Sequence, residues 1–259
     1  MRFLPTLAVM TAFSILAACD SASEPADQAQ LDLGMRSGLS GWLTSPDSPS
    51  FPVYASTFEG SNGTVELDEA WLIISEFELE RAGEVVDCDD GGECESFEAP
   101  PALVQLPLDS TVVSQLSVNI PEGEYAELEL NVEDLEEDEE GEDASEIAAV
   151  LAEARAAHPD WPSAASMLLT GTYTPAGGSA VSFRTFVEAE IEVEITIDPP
   201  LDASGVVAMN IVVVPSAWVE RPDGTVLDLS QWDWGATQQL LDLEIEMEDS
   251  FAAVEIEGL

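Results

Sequence analysis

Lysine is missing from this chain altogether, and histidine occurs once, at His158. Six arginines are the only fixed cations against 53 acidic residues, which gives a formal net charge of −47 over 259 residues. Such a surface repels nucleic-acid phosphates and anionic lipid headgroups, which excludes both as binding partners. One histidine cannot build a histidine-rich zinc or copper site. His158 also precedes a proline at a predicted helix end, where capping the helix dipole is a commoner role than serving a serine–histidine–aspartate triad. Beyond residue 18 no run is long and apolar enough to span a bilayer as a helix. Hydrophobic residues nevertheless make up 46% of the chain, too many for a disordered acidic polymer. A folded, acidic, lysine-free protein fits life in high salt, where its charge is screened. General adaptation to salt is preferred over a dedicated sponge for polyvalent cations.

Cysteine is scarce too, and its three positions sort by context. Cys19 closes Leu16-Ala17-Ala18-Cys19, at the end of an apolar run that follows Met1-Arg2. The run is too short to cross a bilayer. This pattern resembles the lipobox of bacterial lipoprotein signal peptides, in which cleavage before the cysteine is coupled to acylation of its thiol. The resemblance implies a signal peptide over residues 1–18, lipid attachment at Cys19, and an extracytoplasmic body tethered to a bacterial membrane. Residues 19–33 are expected to be a flexible tether, on the small, polar, proline-containing character of its first part. In an exported chain Cys88 and Cys94 are expected to form a disulfide around a small loop.

Alternation of period two dominates the body. Ile73 to Glu80 reads as one strand, with Ile73, Phe77 and Leu79 on one face. Leu128, Leu130 and Val132 alternate with Glu127, Glu129 and Asn131, and Ile191, Val193, Ile195 and Ile197 with Glu190, Glu192, Glu194 and Thr196. These are half-buried strands, apolar inside and acidic outside. The glutamates of Glu76–Glu80, Glu127–Glu129 and Glu190–Glu194 are expected to face one another across neighbouring strands. Val206 to Val214 is almost entirely apolar and reads as a central strand. Turn signals such as Ser61-Asn62-Gly63 and Pro222-Asp223-Gly224 separate the runs.

Two stretches break this period. Glu133 to Asp143 is almost wholly acidic and is expected to be a solvated loop. Asp143 and Glu146 then form a capping-box pair ahead of Ile147, Val150, Leu151 and Ala154, spaced as one face of a short helix. Together, residues at about 134–162 read as an insertion. Near the C-terminus, Leu240 to Val254 fits helix or strand spacing, and helix is expected. The fold class is therefore mainly β: an antiparallel β-sandwich over residues 34–259, with an acidic loop plus short helix insertion and a C-terminal helix.

Three pieces in order carry a further likeness. Val65-Glu66-Leu67-Asp68-Glu69-Ala70-Trp71 opens a long strand, Val104-Gln105-Leu106-Pro107-Leu108 follows, and Pro121-Glu122-Gly123-Glu124-Tyr125 turns into the next strand. Val65 to Val132 thereby resembles a family of bacterial surface lipoproteins of unknown function with a transthyretin-like or carboxypeptidase-regulatory-like sandwich. The resemblance implies a fold and a surface location and carries no catalytic residues. The acidic insertion and the Cys88 loop depart from it.

The remaining candidates are few. Asp87, Asp89, Asp90 and Glu93 surround the cystine loop and are the candidate calcium ligands. Asp87, Asp89, Gly92 and Glu98 match part of an EF-hand loop, but Gly91 stands where an acid belongs. Trp232 and Trp234, two apart, would share a face on a strand and offer a platform for a glycan ring, although aromatic pairs more often close the end of a core. Carboxylate pairs suited to glycoside hydrolysis are too abundant for one to stand out. The expectation is a non-enzymatic, lipid-anchored binding or structural module with a glycan or protein ligand and no cofactor, calcium excepted. A calcium-dependent carbohydrate-binding lipoprotein is the alternative, and a carboxylate-only hydrolase the second.

Overall fold

The structure, a computed structural model, describes residues 28–38, 56–83, 96–109, 111–135 and 144–243, and the backbone pairing of 251–257. Cys19, Cys88, Cys94, Asp87, Asp89, Asp90 and Glu93 lie outside the described residues.

In chain order the strands are β1 (Gln28–Ser37), β2 (Thr57–Gly60), β3 (Gly63–Ile74), β4 (Glu76–Arg81), β5 (Phe97–Ala99), β6 (Ala102–Gln105), β7 (Val113–Pro121) and β8 (Gly123–Val132). Helix α1 (Ala144–Ala157) follows, then β9 (Met167–Pro175), β10 (Val181–Glu188), β11 (Ile191–Ala203) and β12 (Val206–Val213). Short helices α2 (Ser216–Val219) and α3 (Trp234–Thr237) flank a 3₁₀ turn at Leu229–Trp232, and β13 (Leu241–Asp242) and β14 (Phe251–Glu257) end the chain. The protein is mainly β.

Three sheets share one core. The first runs β14-β12-β1-β7, the second β13-β10-β9-β3-β2 with β6 also on β3, and the third β11-β8-β4-β5. Alternation decides which side chains turn inward. Leu31, Leu33 and Met35 come from the first sheet, Leu67 and Leu72 from the second, and Leu79, Leu128 and Val193 from the third, all in one buried cluster. The near-continuous apolar run of β12 has the expected place, between β14 and β1, and five consecutive residues from Met209 to Val213 are buried. A strand covered on both faces needs no polar alternation.

A second, smaller cluster lies on the other face of the second sheet. There Ile147, Val150, Leu151 and Ala154 of α1 pack on Ile73, Leu168 and Phe186. All four helix residues picked out by their spacing are the buried ones.

Four expectations are corrected. The tether does not run to residue 33: Gln28 onward is β1, held between β12 and β7 by backbone pairing on both sides. Residues 73 to 80 are two strands rather than one. The chain breaks at Ser75, so Ile73 sits under α1 while Phe77 and Leu79 enter the main core from a different sheet. The C-terminal stretch is strand where it is described. β13 joins β10 and β14 pairs antiparallel with β12, so the edge of β12 wins the segment that spacing alone could not assign. Finally, the sheets are not wholly antiparallel, since β1 with β12 and β10 with β13 run parallel.

Candidate functional site

The third sheet presents one apolar and one acidic face. Its outer face carries a row of four glutamates directly opposite one another: Glu98 on β5, Glu78 on β4, Glu129 on β8 and Glu194 on β11. Neighbouring strands stand roughly 4.8 Å apart, so like charges in such a row repel. The rows on either side are each relieved by one neutral residue. Glu76 and Glu192 face Asn131, while Glu80 and Thr196 face Glu127. The Asn131 amide donates to Glu76 Oε2 at 2.8 Å and to Glu129 Oε1 at 3.3 Å. The sequence placed the β4, β8 and β11 members of this face; Glu98 joins them only through the pairing of β5 with β4.

Crowding changes the acidity of these groups. A proton shared with Glu194, with desolvation and the charges of Glu194, Glu80 and Glu129 behind it, pushes Glu127 up to about 7. Glu129 is also raised, first by desolvation. At one end the face runs into a cleft of about 410 Å³ between the third sheet and the start of α1. Glu76, Glu98, Glu133 and Glu146 line it, with Pro100, Pro101 and Ile147. Burial raises the Glu133 carboxyl above its ordinary value, and Glu76, Asp134 and Glu190 add to the effect. Among the described residues, no group of three or more His, Cys, Asp or Glu is placed to hold a metal ion.

The two tryptophans do not lie on a strand. Asp228 accepts from Ser230 N (3.2 Å) and starts the 3₁₀ turn, and Asp233 accepts from Ala236 N (3.1 Å) and caps α3. Those two turns stand in place of the expected strand. Trp232 packs on the main core and Trp234 on the cluster under α1.

The residues that sequence reasoning missed are the aromatic partners of His158. The imidazole does not cap α1. It packs edge-on against Trp71 of β3, with centroids 5.1 Å apart, and lies 6.0 Å from Trp161. Trp161 meets Phe186 of β10, and Phe186 meets Trp234, each at 5.4 Å. Apart from that of His158 with Trp161, these contacts join residues far apart in the chain, and no local pattern announces them. Burial, then the Arg184 guanidinium, holds the imidazole below its ordinary pKa. Arg184 itself pairs with Asp160 and stacks over Phe186, 4.7 Å from its centroid.

No family model matches the chain, and no curated protein does. Among solved structures, MbnP from Methylosinus trichosporium is similar over 74% of this chain and 77% of its own, at 14% identity and a TM-score of 0.32. A likeness that faint carries no inference about fold or activity.

Proposed function

We propose that this chain is a lipid-anchored, extracytoplasmic binding or structural module adapted to high salt, and not an enzyme. The observation that carries the reading is the lipobox-like Leu16-Ala17-Ala18-Cys19 at the end of an apolar N-terminal run. The first described strand, β1, begins at Gln28, soon after that cysteine, so an anchor there would hold the described fold close to the bilayer. The in-register glutamate rows support the salt adaptation, because so few cations answer them. The test is Cys19→Ser in a bacterial host that processes lipoproteins. Detergent phase partitioning should move the protein out of the detergent phase, and the acyl mass on its N-terminal peptide should vanish. Unchanged partitioning and mass would sink the reading.

A second reading, a carboxylate-only hydrolase, draws on one observation. Glu133, whose carboxyl is raised by burial, shares a cleft with Glu76, Glu98 and Glu146. A carboxyl kept protonated by burial is what a general acid in glycoside hydrolysis requires. A glycoside panel compared between the native chain and Glu133→Gln separates the two readings. Turnover lost in the variant favours the hydrolase, and no turnover by either leaves the module.

A further inference from the structure

Helix α1 touches the rest of the protein through a cluster of its own, apart from the main core. Its C-terminal end is secured by a short chain of contacts. The His158 N–H donates to Ala154 O at 2.8 Å, and Trp161 N–H donates to His158 O at 2.9 Å. The Trp161 indole N–H then donates to Ala165 O at 2.9 Å. The imidazole meets β3 through the edge-on contact with Trp71, beside the apolar residues of α1 and Trp161 that share a cluster with Ile73. Its Nε2 is buried with no hydrogen-bond partner among the described residues, and so is Nε1 of Trp71.

We propose that His158 is an acid-sensitive latch, which holds α1 and residues 158–165 on the outer face of the second sheet while neutral and releases them when protonated. A neutral imidazole tolerates an unpartnered Nε2 against aromatic rings. An imidazolium carries a second N–H at the buried Nε2 and a charge into a partly buried place beside the Arg184 guanidinium, and desolvating that charge is costly. The charged groups facing the ring decide whether anything compensates. Arg184 of β10 opposes protonation; Glu69 of β3 and Asp160 favour it. Asp160, however, is already engaged by Arg184, and the net effect, with desolvation largest, is a lowered pKa. The sign follows. The released segment binds a proton more readily than the docked one, so docking weakens as pH falls below the ordinary imidazole value of 6.5. Each further pH unit, until the docked pKa is passed, multiplies the released fraction by up to about ten. Release uncovers Trp71, Ile73, Leu168 and Phe186, an apolar surface that neutral pH keeps covered.

The chain has one histidine, so its imidazole proton resonance is unambiguous. An NMR titration of the full body should place its midpoint below 6.5. Hydrogen exchange, normalised for the intrinsic effect of pH, should speed up in α1 between pH 7.5 and 4.5 while β8 and β12 stay protected. In His158→Gln and His158→Phe, neutral at every pH, that acid-induced rise should disappear. A midpoint at or above 6.5, or an equal rise in the variants, would overturn the latch. The titration and the hydrogen exchange of α1, both on the native chain, decide the matter even where a variant does not fold.

Discussion

At the scale of single residues, the fold leans on polar groups whose partners are backbone. Ser166 is fully buried at the start of β9. Its hydroxyl donates to Ala189 O at 2.9 Å and accepts from Ala189 N at 2.8 Å, so one side chain satisfies both backbone groups of a buried residue. Ser166→Ala removes both bonds and fills no space in return. An unsatisfied buried donor costs about 1–3 kcal/mol, and the variant is expected to lose that much in urea unfolding with no change in the slope. The turn at Pro121 follows the same logic. The Tyr125 hydroxyl donates to Pro121 O at 2.7 Å, while Gly123 between them has φ +157° beside the Arg81 guanidinium. A motif read as a turn followed by a strand is thus also a side-chain clamp across that turn.

At the scale of elements, what the sequence discloses is whatever a strand or helix settles by itself. The alternation of β8 and β11 and the 3.6-residue spacing of α1 were legible because one face of each is buried and the other wet. The break at Ser75 was not, since Ile73 and Phe77 alternate correctly on paper. Only the assembled sheets show that β3 and β4 part company there, and that the end of β3 is buried on both faces, Leu72 to the core and Ile73 to α1. β14 was misread because its partner, β12, lies some forty positions earlier in the chain. The His158 cluster was hidden for the same reason. A test belongs to this scale too. Glu78 faces Glu98 on one side and Glu129 on the other. Opposed like charges cost roughly 0.2–1 kcal/mol per pair. Glu78→Thr should therefore raise the melting temperature at low salt, and the gain should shrink in molar salt. Destabilisation by that substitution at low salt would mean that the row is not repulsive.

At the scale of the whole molecule, charge gives the body and the helix opposite responses to acid. The folded state holds a proton near Glu127 up to about pH 7, whereas the unfolded chain releases it near the ordinary value of 4.5. A carboxyl raised in this way contributes stability that is complete below 4.5 and is lost as pH climbs through about 7. The raised Glu129 acts in the same direction. The net charge of −47 adds general repulsion that also grows as carboxyls ionise. At low salt the melting temperature of the main body should thus be higher at pH 5.5 than at pH 8. Screening in 1 M salt shortens the Debye length to roughly 3 Å, so NaCl should raise the pH 8 value most and narrow the gap. Glu194→Gln takes away the carboxylate that shares the proton and should flatten much of what remains. Calorimetry over a grid of pH and salt checks all three expectations, and a melting temperature constant from pH 5.5 to 8 at low salt would refute the first. Hydrogen exchange in α1 should move against the calorimetry as pH falls, because protonating His158 weakens the docking of the helix while protonating Glu127 relieves the sheet.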